Sequence, residues 1–511
     1  MVNLATASTP TQTAPPPQAP AGRSGPPIFT PPSAKAVLTV AALVAVGLVL
    51  WFLVPVPESL SAWQVDGKPT GVKAWHLFIV FVLTILGLIL QPFPLSVMAL
   101  LGLSVAVLTG SITVAQGLSG FSNAVMWMIV MAFFVSRAII KSGLGRRIAY
   151  FFVAKLGKNS LGVAYGLGLT DLALAPATPS AMARGGAIVL PILRAVSSTY
   201  GSEPRTPTAG RIGKFLTFTA AHFNSATGAL FLTAMAANPL MVGFASDFGL
   251  QISWVDWFLY AAGPGVVALI ATPLLAYVIC PPEVKHTPEV AADAGMKLRA
   301  LGPISRHEGI VVAVIGLLIL LWTAGDAMLG ISATTTTIVG VVVLLLTGAL
   351  TLDDVTGEKS AWDTLIWFAI VLTLANFLNS LGFIPWFSGL VAQGLGGLNW
   401  VVAFIVLVLV YFYSHYFFAS LTSHVAAMYA AFLGTAVAVG VPPLLAAMVL
   451  GFLSSYFSTL THYGGAAPTL LFAQGFFTVR EWWTKNLIMS IPNLLIWVGL
   501  GSLWMKLLGA W

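Results

Sequence analysis

Ser420-Leu421-Thr422-Ser423-His424 and Thr461-His462-Tyr463-Gly464-Gly465-Ala466-Ala467-Pro468 interrupt a run, from Thr364 to Val479, that holds no Asp, Glu, Lys or Arg. The run is apolar enough to lie in lipid, yet small, polar, helix-breaking residues cut it twice. A backbone group left unpaired in hydrocarbon costs several kcal/mol, so non-helical chain at that depth persists where protein encloses a cavity. The two breaks therefore mark where function is to be sought.

The rest of the 511-residue chain has the same character: 58% of residues are hydrophobic, 8% are charged, and the mean hydropathy is +0.93. These values exclude a soluble globular class. Apolar runs such as Ala36–Val54, Trp75–Leu90, Val311–Leu321, Ile338–Leu350, Val401–Phe412 and Leu487–Val498 predict an all-α polytopic membrane protein. The net charge of +7 lies mainly in connecting segments, where Lys and Arg report orientation and not a nucleic-acid partner. On that rule the clusters Lys141, Arg146, Arg147, Lys155, Lys158 and Lys285, Lys297, Arg299, Arg306 face the cytoplasm, with the N-terminal tail. Residues 1–35 are Pro-rich with no apolar run, the composition of a disordered tail; their lack of acidic residues leaves a transit peptide as the alternative. Cys280 is the sole cysteine, so neither an intrachain disulfide nor a multi-cysteine metal site is available. No cofactor and no metal ligand set is expected.

The chain contains a repeat. About three spans reach to Thr109, a first block runs from Gly120 to Pro282, a mixed-charge connector from Glu283 to Glu308, two spans to Leu350, and a second block from Asp354 onward. Trp127 and Trp367 lie 240 residues apart, as do the polar breaks at Ser180 and Ser420, and Pro239 precedes Pro468 by 229. Each block opens with an apolar run ending in a Gly-containing corner, Lys141-Ser142-Gly143 or Asn379-Ser380-Leu381-Gly382, read as a half-length, re-entrant segment. Duplicated units with breaks at matching places are the sequence pointer to a secondary transporter with its substrate near the midplane. Close packing of small residues between helices is the alternative for any single break.

In the first block Pro176 and Pro179 each remove a backbone donor, so the helix stops there and restarts near Ser180, presenting free amides to an anion. Arg184 follows one turn later. An arginine at that depth needs a partner, and two readings stand side by side: an anion contact, or a structural ion pair with Asp171. In the second block His424 takes the same step past Ser420, whereas His415, among aromatics, reads as packed and His462 as the weaker candidate beside Tyr463. An enzyme would want paired carboxylates or a metal cluster, and the second block has no carboxylate between Asp363 and Glu481. An anion channel remains the alternative from another class, although two nonidentical breaks in one chain fit alternating access better.

Asp171-Leu-Ala-Leu-Ala-Pro-Ala-Thr-Pro-Ser-Ala-Met-Ala-Arg-Gly-Gly-Ala-Ile-Val-Leu-Pro191 resembles the first substrate motif of the divalent-anion/sodium symporter (DASS) family, in its branch of 2-oxoglutarate/malate translocators and citrate/succinate antiporters. Ala229–Pro239, Trp362–Trp367, Phe418–Val425, Leu460–Gly464 and Glu481-Trp482-Trp483 are similar to that branch as well, so the likeness spans roughly Val37 to Trp511. The resemblance implies two inverted repeats with re-entrant hairpins and broken helices, about 11 spans, a homodimer in the lipid bilayer, and elevator-type exchange of small dicarboxylates. It divides the chain into scaffold spans (36–110 and 309–353), transport repeats (111–282 and 354–511) and a cytoplasmic connector (283–308), in a cell inner membrane or, alternatively, an organelle envelope. The implied substrate residues are Thr178, Ser180, Ala181, Met182 and Arg184, then Ala237 and Asn238, then Ser420, Leu421, Thr422, Ser423 and His424, then Ala466, Ala467 and Pro468. The family's Ser-Asn-Thr motifs read Ser180-Ala181-Met182 and Ser420-Leu421-Thr422 here, which removes side-chain donors at three of six places. Arg184 and His424 are expected to supply fixed positive charge where sodium-coupled relatives hold cations, making the carrier an exchanger; a sodium-coupled symporter is the alternative.

Overall fold

The computed structural model describes residues 32–394 and 397–511. Of the predicted tail, residues 1–31 lie outside the described residues. The first helices are α1 (Ala34–Leu53), α2 (Gly71–Leu90) and α3 (Leu95–Leu108), with a two-residue β-hairpin between α1 and α2 in which Gln64 pairs with Pro69. The first repeat comprises α4 (Ala124–Ser142), α5 (Leu144–Leu156), α6 (Ser160–Leu174), α7 (Leu190–Thr199), α8 (Gly213–Leu230), α9 (Ala237–Ser246) and α10 (Trp254–Ile279). Then come α11 (Pro288–Ala300), α12 (Arg306–Leu320) and α13 (Ala333–Leu346). The second repeat has α14 (Lys359–Ser380), α15 (Phe383–Gly394), α16 (Trp400–Tyr413), α17 (Leu421–Ala438), α18 (Pro443–Tyr456), α19 (Ala466–Phe472), α20 (Val479–Leu494) and α21 (Gly501–Leu507).

Helices α4 and α14 are equivalents that run antiparallel: Arg137, near the end of α4, approaches Asp354, just before α14 begins. Helices α8 and α18 meet through their last turns, where the Ser455 hydroxyl donates to the Ser225 carbonyl at 2.8 Å. The repeats are thus inverted. Each α4-type helix turns into its successor through a glycine in the left-handed region, Gly143 at φ 79° and Gly382 at φ 94°. A Cβ on Gly382 would stand 2.1 Å from the Trp63 indole nitrogen, so that corner accepts glycine alone.

The half-length reading of the runs that open each block is corrected here. Helices α4 and α14 have 19 and 22 residues and are long enough to span. The hairpins are the next pairs, α6 with α7 and α16 with α17, whose tips carry Ser180 and Ser420. Among the described residues nine helices are long and apolar enough to cross a membrane and three apolar ones are shorter; in the first hairpin α6 has 15 residues and gives way to a 3-10 turn at Pro176, and the returning arm runs through a π-helical stretch, 183–189, into α7.

The connector is ordered. Helix α11 lies along α5, and Arg147 reaches across to Glu308 (2.7 and 3.0 Å) and the carbonyls of Gly302 and Pro303. Thr287 N donates to Lys158 O at 2.9 Å and Ser160 N to Lys285 O at 3.1 Å. Both basic clusters therefore sit at one pole.

Candidate functional site

The first hairpin tip is built by proline chemistry. Pro176 holds a 3-10 turn at Ala175–Ala177, Thr178 is extended, and Ser180 then caps the returning arm by accepting from Ala183 N at 3.1 Å. The second tip follows the same plan: a 3-10 turn at Ser414–Phe417, then Ser420 accepting from Ser423 N at 3.3 Å to cap α17. Two further interruptions lie beside them, between α8 and α9 (231–236) and between α18 and α19 (457–465).

All four interruptions converge on one cavity of about 730 Å³. Its hairpin side carries Ser180, Ala181 and Met182 from one tip and Ser420, Leu421 and Thr422 from the other; Ala466, Ala467 and Pro468 close it at the start of α19. Because each cap serine spends an oxygen lone pair on its own helix, its hydroxyl proton is left for the cavity. Ser420 and Thr422 hydroxyls stand 3.1 Å apart, so one of their two protons is used between them and one remains. The deeper lining is the reverse. The Ser225, Ser455 and Ser458 hydroxyls already donate to the carbonyls of Ala221, Ser225 and Ser455, and the Asn224 amide donates to Asp171 (3.0 Å) and Ala181 O (3.3 Å). The cavity thus offers donors at its two tips and acceptors between them. Asp363 on α14 is the one formally charged residue lining this chamber among the described residues.

Behind the tips lie the two basic-type residues. Arg184 is fully buried and points across its hairpin: Nε meets Asp171 Oδ1 at 3.2 Å, and Nη1 donates to the carbonyls of Thr178 and Ala234, the latter at 2.6 Å. Asp171 also accepts from Asn224 and Thr227. His424 is equally buried, stacked 4.4 Å from both Phe418 and Phe457, with Nδ1 at 2.9 Å from His415 Nδ1 and Nε2 at 3.2 Å from the Ser414 hydroxyl. His415 Nε2 lies 2.8 Å from Gly464 O and must carry the proton there. His415 Nδ1 then accepts from His424 Nδ1–H, and with both rings neutral His424 Nε2 is an acceptor facing the Ser414 hydroxyl, whose single proton the Tyr411 carbonyl, at 2.9 Å, also draws.

The model of the sodium:sulfate symporter transmembrane region matches residues 34–511. The chain belongs to this divalent-anion/sodium symporter family. Its relatives in the family include a putative malate transporter, YflS, of Bacillus subtilis (47% identical, covering 92% of this chain and 96% of the relative) and the chloroplast dicarboxylate transporter 1 of Arabidopsis thaliana (42%, covering 95% and 86%). The citrate/succinate antiporter of Escherichia coli is 35% identical over 90% of this chain and 96% of its own. Among solved structures, the YdaH transporter of Alcanivorax borkumensis shares the fold, with a TM-score of 0.53 at 15% identity over 93% of this chain and 98% of that one. As a member of the symporter family the chain is a multi-pass membrane transporter and not an enzyme.

Nine of the residues singled out in the sequence of this symporter-family chain line the cavity: Ser180, Ala181, Met182, Ser420, Leu421, Thr422, Ala466, Ala467 and Pro468. Six do not. Arg184 and His424 are turned away because each lies one turn inside its returning arm, on the face packed against the other arm, while the capping serine sits at the end. Thr178 and Ser423 are buried with unpartnered hydroxyls, and Ala237 and Asn238 are buried in the first turn of α9, where the Asn238 amide donates to Gly228 O and Phe231 O. His462 is held by Trp483, whose indole donates to Nδ1 at 3.1 Å, while Tyr463 donates to Tyr416 O. The sequence reading missed Asn224, Ser225, Ser455 and Ser458. The repeat offset carries that signal: Ser225 and Ser455 are 230 apart, each just ahead of its break.

The cavity continues into an outer chamber of about 380 Å³ bordered by Arg137, Glu358 and Ser360, which shares Ser180 and Met182 with the inner one. It opens at the basic pole, beside the α4–α5 corner. At its rim Lys141 pairs with Asp354, and that ammonium, with the Thr351 backbone and hydroxyl, holds the Asp354 carboxyl down to about 2. A carboxyl lowered on folding stabilises above its ordinary range and loses this contribution as pH falls. Asp354→Asn is therefore expected to lower the melting temperature at about pH 6, with the gap to the unsubstituted protein narrowing below about pH 4; a gap independent of pH would assign the effect to the Thr351 cap instead.

Proposed function

We propose that this chain exchanges small dicarboxylates of the malate, succinate or 2-oxoglutarate type across a cell membrane without sodium, as a homodimer working by elevator-type alternating access. The observation that carries the reading is the pair of hairpin tips presenting hydroxyl donors to one cavity, each with a protein-borne donor behind it. A dianion with carboxylates at both ends meets Ser180 at one tip and Ser420 with Thr422 at the other. Relatives named for malate, dicarboxylate and citrate/succinate transport support that substrate class. Asp363 sets a negative charge on the α14 wall, which biases an anion toward the hairpin wall.

Sodium independence is supported by what holds the break carbonyls. A hard cation binds through several oxygens at once. Here the guanidinium of Arg184 takes Thr178 O and Ala234 O, and His415 Nε2–H takes Gly464 O, so oxygens that a sodium ion would need are already engaged. The fixed charge of the first repeat is thus Arg184 acting from behind the tip, already balanced by Asp171. In the second repeat a neutral histidine pair supplies a donor and no charge. By the positive-inside rule the basic pole is cytoplasmic, and the cavity is open inward.

The test is counterflow in proteoliposomes. Labelled malate uptake is expected to accelerate when unlabelled malate is trapped inside, with or without a sodium gradient. Uptake that requires the gradient would mean symport, and uptake indifferent to trapped malate would mean a channel.

A further inference from the structure

Arg137 stands out at the mouth. It projects from the last turns of α4 into the outer chamber, its side chain is 44% exposed, and among the described residues it makes no hydrogen bond. Its nearest carboxylate oxygen, Asp354 Oδ1, is 3.7 Å from Nε, beyond hydrogen-bond reach. Asp354 Oδ2 accepts from Lys141, Thr351 N and the Thr351 hydroxyl, so Asp354 meets Arg137 only as a loose ion pair through Oδ1 and leaves the donors of the guanidinium without a hydrogen-bond acceptor. A guanidinium carries five donors in a planar fork suited to a carboxylate. The fork borders an open chamber that also contains Ser360 and Ser180. Glu358, on the same rim as Ser360, is the one carboxylate lining this chamber among the described residues, and its charge turns an anion away from that wall and toward the hairpin.

We infer that Arg137 forms a staging subsite for an organic carboxylate at the mouth of the cavity. One carboxylate docks on the guanidinium fork, and the next position inward is the Ser180 hydroxyl, which borders both chambers. Among the described residues no cation lines the inner chamber, so the attraction that draws a dianion in from solvent comes from Arg137, and the hairpin tips select it afterwards. The subsite serves one side of the membrane only. This inference rests on the reading that the cavity carries organic anions.

The experiment places a thiol in the chamber. Ala187 is exposed there and absent from the inner chamber's lining, and the native Cys280 is buried. In Ala187→Cys, the rate of modification by an anionic methanethiosulfonate is compared with that by a cationic one. Adding Arg137→Gln is expected to lower the anionic-to-cationic rate ratio about tenfold at low salt, with much of the difference screened at about 0.5 M salt. Glu358→Gln is expected to raise the ratio. Malate should slow the anionic reagent in the Arg137 background and not in Arg137→Gln. In vesicles sorted by orientation, Arg137→Gln raises the KM for labelled malate about tenfold from the basic pole and leaves it unchanged from the other side. An equal reagent ratio in both backgrounds overturns the subsite. A lowered ratio in a protein that shows no malate counterflow supports anion capture at Arg137 while overturning the carrier reading.

Discussion

Arg184→Ala is expected to destabilise the protein by about 3–5 kcal/mol, the cost of stranding one member of a buried ion pair. Asp171 would then sit fully enclosed with only Asn224 and Thr227 to answer its charge, and the carbonyls of Thr178 and Ala234 would lose their donor. These carbonyls belong to two different interruptions, so the guanidinium pins the first hairpin tip to the α8–α9 break. Melting in detergent, followed by fluorescence or by retention of the folded peak on size exclusion, reads the loss. Arg184→Gln with Asp171→Asn removes both charges and keeps donors, and it is expected to recover much of the stability lost by either single change. Arg184→Lys keeps the charge without the fork and should fall between. A variant lacking Arg184 that melts like the original but no longer binds malate would return this side chain to the substrate.

Apolar runs, the two offsets of 240 and the polar breaks led to an inverted duplication, and Ser180, Ser420 and Thr422 emerged at the cavity. Of the two readings of Arg184 the structure shows the ion pair with Asp171, and it places neither Arg184 nor His424 on the cavity lining, since four residues along one helix says only that two side chains share a side. At a capped end the serine stands in the opening, while the residue one turn later meets the opposite arm. For Arg184 that arm holds Asp171, thirteen residues earlier, and for His424 it holds His415, nine earlier. The helices that open each block are full-length spans because Gly143 and Gly382 are corners at helix ends and not breaks at membrane depth. Asn224 and Ser225 lie among other polar residues of α8, Thr217, Thr219, His222 and Thr227, so neither position stands out, and Ser455 lies in an apolar helix, where a hydroxyl bonded to a backbone carbonyl leaves no break in the pattern.

Ser180→Gly is expected to have the opposite signature to Arg184→Ala: affinity is lost and stability is kept. Glycine at a helix N-cap costs only a few tenths of a kcal/mol relative to serine, so the tip should fold as before. What disappears is a hydroxyl donor to a carboxylate, about 1.5–3 kcal/mol, or roughly 10- to 150-fold in apparent affinity. Ser420→Gly should cost less than Ser180→Gly, because Thr422 stands 3.1 Å from Ser420 and its freed proton can replace the one removed. Joining Thr422→Val to Ser420→Gly removes that substitute, and the second tip should then lose as much as the first. The two tips are separate donors holding separate carboxylates, so Ser180→Gly combined with the Ser420/Thr422 change should approach the sum of the two losses in free energy, roughly 150- to 20,000-fold in KM. A monocarboxylate inhibitor distinguishes two-ended binding from a single shared site, since it engages one tip at a time. Its inhibition constant should move with the tip it occupies and stay indifferent to the other, whereas a monocarboxylate weakened equally by changes at both tips would place both serines on one carboxylate.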